Sequence, residues 1–222
     1  MITSLLRLAL AAAMATGTFL AASPVQAAAA EVELPLSEAV DTLPVAAEDR
    51  TGYSRDLFKH WVDADRDGCS TRAEVLLEEA VVAPEVTGRC SITRDTGEWY
   101  SLYDGVTVTN AGSLDIDHMV PLAEAWDSGA SQWDAQRRQE YANDLGDPRA
   151  LIAVTAKSNR SKSDQDPAEW LVSDEEAVCE YVAGWTAIKH RWGLSADEAE
   201  AAALAEAAAG CEDVTVRVTL AS

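Results

Sequence analysis

Two short segments constrain this chain more than anything else in it: Leu114-Asp115-Ile116-Asp117-His118-Met119-Val120-Pro121 and, downstream, Leu151-Ile152-Ala153-Val154-Thr155-Ala156-Lys157-Ser158-Asn159-Arg160-Ser161-Lys162. The first alternates apolar and polar residues up to a carboxylate and an imidazole, the pattern of a half-buried strand. The second is a short apolar run that passes into a polar, helix-compatible stretch carrying Asn159, Arg160 and Lys162. An Asp-His pair at a strand end and an asparagine on a later helix supply oxygen ligands for a hard cation. The imidazole can take a proton from water near neutral pH. Such a set suits phosphodiester cleavage with one divalent metal.

The 222 residues suffice for one sizeable domain. Residues 1–27 hold an early cation, Arg7, an apolar run from Leu8 to Leu20 and the small-residue exit Val25-Gln26-Ala27, which together predict a cleaved signal peptide and secretion. The uninterrupted apolar run is shorter than the ~20 residues of a membrane span, and no later segment could serve as one. Residues 28–50, rich in Ala, Glu, Val and Pro without a sustained period, read as a flexible leader to a single domain over 51–222. Export predicts disulfides rather than metal thiolates for the four cysteines. Cys69 with Cys90 and Cys179 with Cys211 is the preferred of three pairings, because sequence neighbours tend to be bridged.

A net charge of −21 disfavours indiscriminate binding to nucleic acid but leaves room for a locally basic cleft. Arg137, Arg138, Arg149, Lys157, Arg160 and Lys162 concentrate in the middle third.

Along the chain, short helices are expected from Ser54 to Trp61 and from Thr71 toward Val82, and strands at Gly105–Thr109, Ser113–Asp117 and Leu151–Val154. Helices should also follow Leu122, run from Gln132 to Asn143 and from Thr155 to Ser163, and begin at Pro167. Ser173-x-x-Glu176 and Ser195-x-x-Glu198 match capping boxes for two terminal helices, one reaching about Arg191 and the other Gly210. Between the first two helices, Asp63, Asp65, Asp67, Gly68 and Glu74 satisfy the spacing of a calcium loop. An acidic turn whose carboxylates satisfy backbone amides stands as the equal alternative. Any calcium there would brace the fold rather than do chemistry.

Strand, Asp-His, intervening segment, strand and Asn-bearing helix together resemble the HNH endonucleases, in particular secreted bacterial proteins with the GmrSD-type HNH domain. The likeness rests on Asp115 to Trp126, Ser128-Gly129-Ala130, Tyr141 to Leu145, Ser158 to Lys162 and Asp166 to Trp170. It implies an α+β fold with a ββα-metal core wrapped by helices. His118 would be the general base, and Asp117 and Asn159 would hold Mg²⁺ or Mn²⁺. Lys162, Arg160 and Asn143 would bind substrate, the first two at phosphate; Asn143 could instead end a helix or pin the loop that positions His118. One departure stands out: Ala150 occupies the place where the family's middle asparagine opens the second strand.

The implied activity is hydrolysis of nucleic acid, DNA first and RNA second, with low sequence specificity, since no separate sequence reader is visible. No protein partner is evident. Two rivals remain: a calcium-stabilised extracellular binding module whose nuclease site has decayed, and an enzyme acting on a smaller phosphodiester.

Overall fold

Residues 30–222 are described by a computed structural model; the expected signal peptide lies outside them. In chain order the first half contains β1 (Glu31–Pro35), α1 (Leu36–Asp41), α2 (Thr71–Glu78), β2 (Val86–Thr87), β3 (Ser91–Ile92), β4 (Trp99–Ser101), β5 (Val106–Val108) and β6 (Leu114–His118). The second half adds α3 (Leu122–Asp127), α4 (Ala135–Ala142), β7 (Leu151–Thr155), α5 (Ala156–Lys162), α6 (Val178–Trp192), α7 (Glu198–Ala208) and β8 (Thr215–Thr219). The strands form four antiparallel pairs: β1 with β8, β2 with β3, β4 with β5, and β6 with β7.

The β6–β7 pair and α5 form the ββα core that the sequence predicts. Period-2 alternation turns Leu114 and Ile116 toward a cluster with Val75, Leu76, Trp99, Leu151 and Ala153. Asp115 and Asp117 take the other face, over which α5 lies. Thr155 caps α5 by accepting from the Ser158 amide. A step of three along that helix advances roughly 4.5 Å, close to a two-residue step of a strand at roughly 6.6 Å. Asn159 and Lys162 therefore meet Asp115 and Asp117 in the same order, at 3.2 and 2.6 Å.

Around this core, α6 supplies the main apolar wall. Tyr181, Val182, Trp185 and Ile188 are buried as the helical spacing predicts, and pack with Val216 and Val218 of β8 and Leu204 of α7. Both disulfides pair as preferred, Cys69–Cys90 and Cys179–Cys211. Among the described residues no helix is long and apolar enough to cross a membrane.

Several expectations are corrected. Residues 28–50 are not a flexible leader throughout: Glu31–Pro35 pairs in register with Thr215–Thr219, and Leu36, Ala39 and Val40 of α1 are buried against the terminal helices. The domain thus begins well before Thr51. The Ser54–Trp61 helix is a single 3-10 turn, Arg55–Leu57, and the Pro167 helix is one turn held by Asp166 Oδ1. Neither serine caps its terminal helix. Asp174 caps a 3-10 turn ahead of α6, and Asp197 caps α7 by accepting from the Glu200 amide, while Ser173 and Ser195 donate to the carbonyls of Tyr103 and Ser128. A carboxylate offers the stronger acceptor to a helix N-terminus and wins the position.

Candidate active site

His118, Asp117 and Asn159 line one cleft of about 280 Å³ together with Arg55, Arg160, Ser163 and Asp164. His118 ends β6 and is 4% exposed. Its Nε2 lies 3.0 Å from the Ala142 carbonyl, a group that can only accept. The proton is therefore on Nε2, and Nδ1 keeps its lone pair with no protein partner among the described residues. Trp61 packs against the ring at 5.6 Å and Tyr141 lies nearly parallel to it at 6.3 Å. Trp61 does so from a left-handed backbone conformation at φ 57°, a strained geometry for a bulky side chain that the surrounding packing must over-determine. Burial lowers the His118 pKa to about 3, assisted by the charges of Arg55, His60 and Lys162 and opposed by the Ala142 bond. A phosphate anion in the cleft would act in the opposite sense.

Beneath the cleft, Lys162 donates to Asp117 Oδ2 at 2.6 Å and to the His118 carbonyl at 3.1 Å, and the Tyr103 hydroxyl donates to the same Oδ2 at 2.6 Å. This corrects the expectation that Lys162 reaches phosphate: its side chain is fully buried and spent on Asp117. The i, i+3 spacing from Asn159 is right, but the longer side chain reaches inward. Burial pulls the ammonium's pKa down while Asp117 opposes that shift. Burial also holds the Tyr103 phenol protonated, as a donor.

Asn143, expected at the substrate, has its side chain engaged within the protein. It ends α4, accepts from the Val62 amide and the Thr71 hydroxyl, and donates to the carbonyls of Lys59 and Gln139. Those bonds fix the helix end whose neighbouring carbonyl, that of Ala142, orients His118. The loop-orienting role left open by Ala150 thus falls to a backbone carbonyl anchored by Asn143. Arg160 is 79% exposed at its side chain, 3.9 Å from Asp115, and remains available to phosphate. Arg55 and Tyr103 were missed in the sequence, because neither has a periodic or motif signal tying it to distant His118.

The donor set fits a hard cation. Asp117 Oδ2 is engaged, while Oδ1 carries no hydrogen bond among the described residues; Asn159 turns its amide nitrogen to Asp115, which leaves its oxygen. One carboxylate oxygen and one amide oxygen suit a metal that keeps several waters. Elsewhere, Asp63, Asp65 and Asp67 each bring an oxygen within 4.8 Å of the others. They also accept from the amides of Gly68, Asp67 and Cys69. Burial and these three charges raise the Glu74 carboxyl pKa. His60 and His190 bond backbone carbonyls and are structural.

Residues 85–207 match the family described as GmrSD restriction endonucleases, C-terminal domain. An uncharacterized secreted protein of Arthroderma benhamiae is 44% identical over 153 residues, covering 69% of this chain and 72% of its own. The likeness first drawn to bacterial proteins therefore extends to a fungal one. No solved structure matches. The matched stretch spans more than half of the 222 residues and contains the whole Asp117, His118 and Asn159 constellation, and the chain belongs to the family of the GmrSD restriction endonuclease C-terminal domain.

Proposed function

We propose that the protein is an exported, metal-dependent endonuclease that hydrolyses DNA, and RNA secondarily, with little sequence specificity. One observation carries the reading: His118 donates through Nε2 to Ala142 and so keeps Nδ1 as a proton acceptor in the cleft it shares with Asp117 and Asn159. In this reading Nδ1 takes a proton from the water whose oxygen bonds phosphorus as the bond to the leaving oxygen breaks. Arg55 and Arg160 hold the diester's phosphate at the rim. Asp117 and Asn159 hold Mg²⁺ or Mn²⁺, which when bound stabilises the charge of the transition state. Lys162 and Tyr103 fix Asp117 so that one oxygen faces outward. A calcium ion at Asp63, Asp65, Asp67 and Glu74 would brace the loop; the convergence of three carboxylates there supports it. Export is supported by the two disulfides and by the description of the fungal relative.

Plasmid and RNA cleavage in EDTA, Mg²⁺, Mn²⁺ and Ca²⁺, with folded His118→Ala and Asn159→Ala alongside, tests the proposal. Nicking that requires Mg²⁺ or Mn²⁺ and is lost in both variants is the expected result. Folded wild-type protein that cuts neither substrate under any metal refutes it.

A further inference from the structure

Part of the cleft lining comes from outside the matched residues 85–207. Arg55 lies in the segment ahead of α2, whereas the other lining residues named above belong to β6, α5 and the turn that follows α5. Arg55 is exposed, and its guanidinium has no carboxylate partner among the described residues. Its charge is close enough to His118 to help lower that group's pKa.

A cation on an unsupported loop would sample many positions, but this loop is fastened on both sides of Arg55. Downstream, Phe58 is fully buried and its amide bonds the Arg55 carbonyl at 3.0 Å, while its ring meets Trp126 and Tyr141 at 6.4 and 6.2 Å. Upstream, the Tyr53 amide bonds the Arg50 carbonyl at 3.1 Å, and Trp126 Nε1 donates to the Thr51 carbonyl at 3.2 Å. Arg50 is the side chain that reaches across. Its Nε donates to Asp127 of α3 at 2.5 Å, an Nη lies 3.6 Å from Asp164, and its guanidinium sits over the Tyr53 ring at 5.6 Å. Asp164 itself lines the cleft. It follows Ser163, whose backbone at φ 52° and ψ −127°, with the Gln165 amide bonded to the Lys162 carbonyl at 3.1 Å, forms a turn that ordinarily takes glycine. A serine held in that conformation marks a position over-determined by its surroundings. Arg50 thus ties the segment carrying Arg55 to the turn carrying Asp164, two parts of one cleft lining that are far apart in sequence.

We propose that residues 49–58 form a strap that completes the substrate site, an inference that rests on the nuclease reading: Arg55 anchors a backbone phosphate of the nucleic acid, and Arg50 is the positioning residue that holds Arg55 over β6 and α5. Asp127 is buried on α3 and gives Arg50 a fixed base, while Asp164 sets the direction in which its planar fork points.

The test is steady-state cleavage of a labelled single-stranded DNA oligonucleotide in Mn²⁺ by the mature full chain, with each variant shown to be folded by its Tm. Arg55→Ala should raise KM about tenfold with kcat within about twofold, and should reduce the slope of log(kcat/KM) against log[salt] by about 0.7, the share of one phosphate. Arg50→Lys keeps a cation beside Asp127 but loses the fork that spans two carboxylates, so Tm should hold within about 2 °C while KM rises roughly fivefold. In an Arg55→Ala background, Arg50→Lys should add nothing further to KM. Arg50→Met with Asp127→Asn, which strands no buried charge, should give the same KM pattern. Arg94→Ala, at an exposed cation outside the cleft lining, should change neither KM nor the salt slope. A wild-type KM in Arg55→Ala or in Arg50→Lys overturns the proposal. So does an equal rise in KM from Arg50→Lys in both backgrounds, which would mean that Arg50 acts through its own charge. Wild-type protein that cuts no nucleic acid refutes the nuclease reading and the strap's role with it, whereas cleavage that these variants leave untouched refutes the strap alone.

Discussion

Replacing Lys162 by methionine removes the cation beneath Asp117 while keeping most of the apolar stem. The ammonium is fully buried and 2.6 Å from Asp117 Oδ2, whose side chain is 11% exposed. At an effective dielectric of about 20, Coulomb's law gives roughly 6 kcal/mol of gross attraction at that distance. Desolvating each ion cancels several kcal/mol of it, so the intact pair contributes little net stability, whereas removing one partner strands the other at a cost of about 3–5 kcal/mol. Tyr103 still donates to Asp117, which sets the expectation near the lower limit, about 3 kcal/mol. In a chain of this size that is a Tm loss of roughly 6–12 °C, measured with urea midpoints as a check. Lys162→Met with Asp117→Asn should recover at least about 2 kcal/mol of the summed single losses in a double-mutant cycle. Cleavage by Lys162→Met should also fall by roughly tenfold or more, because Asp117 is no longer held in one rotamer. A single variant within about 1 kcal/mol of wild type, or a double variant whose losses simply add, would refute the reasoning.

Glu79 accepts from the Ala153 amide at the edge of β7, and burial raises its pKa to about 7. A carboxyl raised in the folded state contributes stability below its unfolded value near 4.5 and loses it as pH rises through 7. Glu79→Gln should therefore flatten the stability profile across that window by about 2 kcal/mol, allowing for partial exposure; parallel urea midpoints for both proteins from pH 4 to 8 would contradict this. Removing the Cys179–Cys211 bond, across a separation of 32, should cost about 3.5 kcal/mol by loop entropy, slightly more than removing Cys69–Cys90 across 21. Calorimetry of the two double-serine variants checks the order. Asn143→Ala should reduce cleavage at pH 7 and lower Tm together, because it releases Lys59, Val62, Thr71 and the end of α4 at once; an unchanged Tm with lost activity would instead mean that the side chain meets substrate.

The β6 and β7 strands were legible because alternation and a run of β-formers are local properties, whereas their register, Asp117↔Ile152, came from the structure. Asn159 was legible for a related reason: helix spacing after a capped strand end puts it one turn into α5, beside β6. The disulfides followed from compartment and proximity in sequence. The alternation in Glu31–Pro35 and in Thr215–Thr219 is equally clear, but each strand is only five residues long and its partner lies at the far end of the chain. Five alternating residues are too few to set such a segment apart from a leader until its distant partner is known.

By itself, then, the sequence determined the local grammar of this protein: which residues alternate, which helix carries Asn159, and which carboxylate and imidazole sit together at a strand end. Tertiary structure alone decided where those faces look. Spacing places Lys162 on the same side of α5 as Asn159, yet only packing against Tyr103 and Trp185 turns it into the core to hold Asp117. Likewise the tautomer of His118 depends on a carbonyl 24 residues away. The physical reason is common to both: local conformational preference fixes the direction of a side chain relative to its own element, while the partner it meets depends on long-range packing, whose entropic cost is met only when the whole core closes.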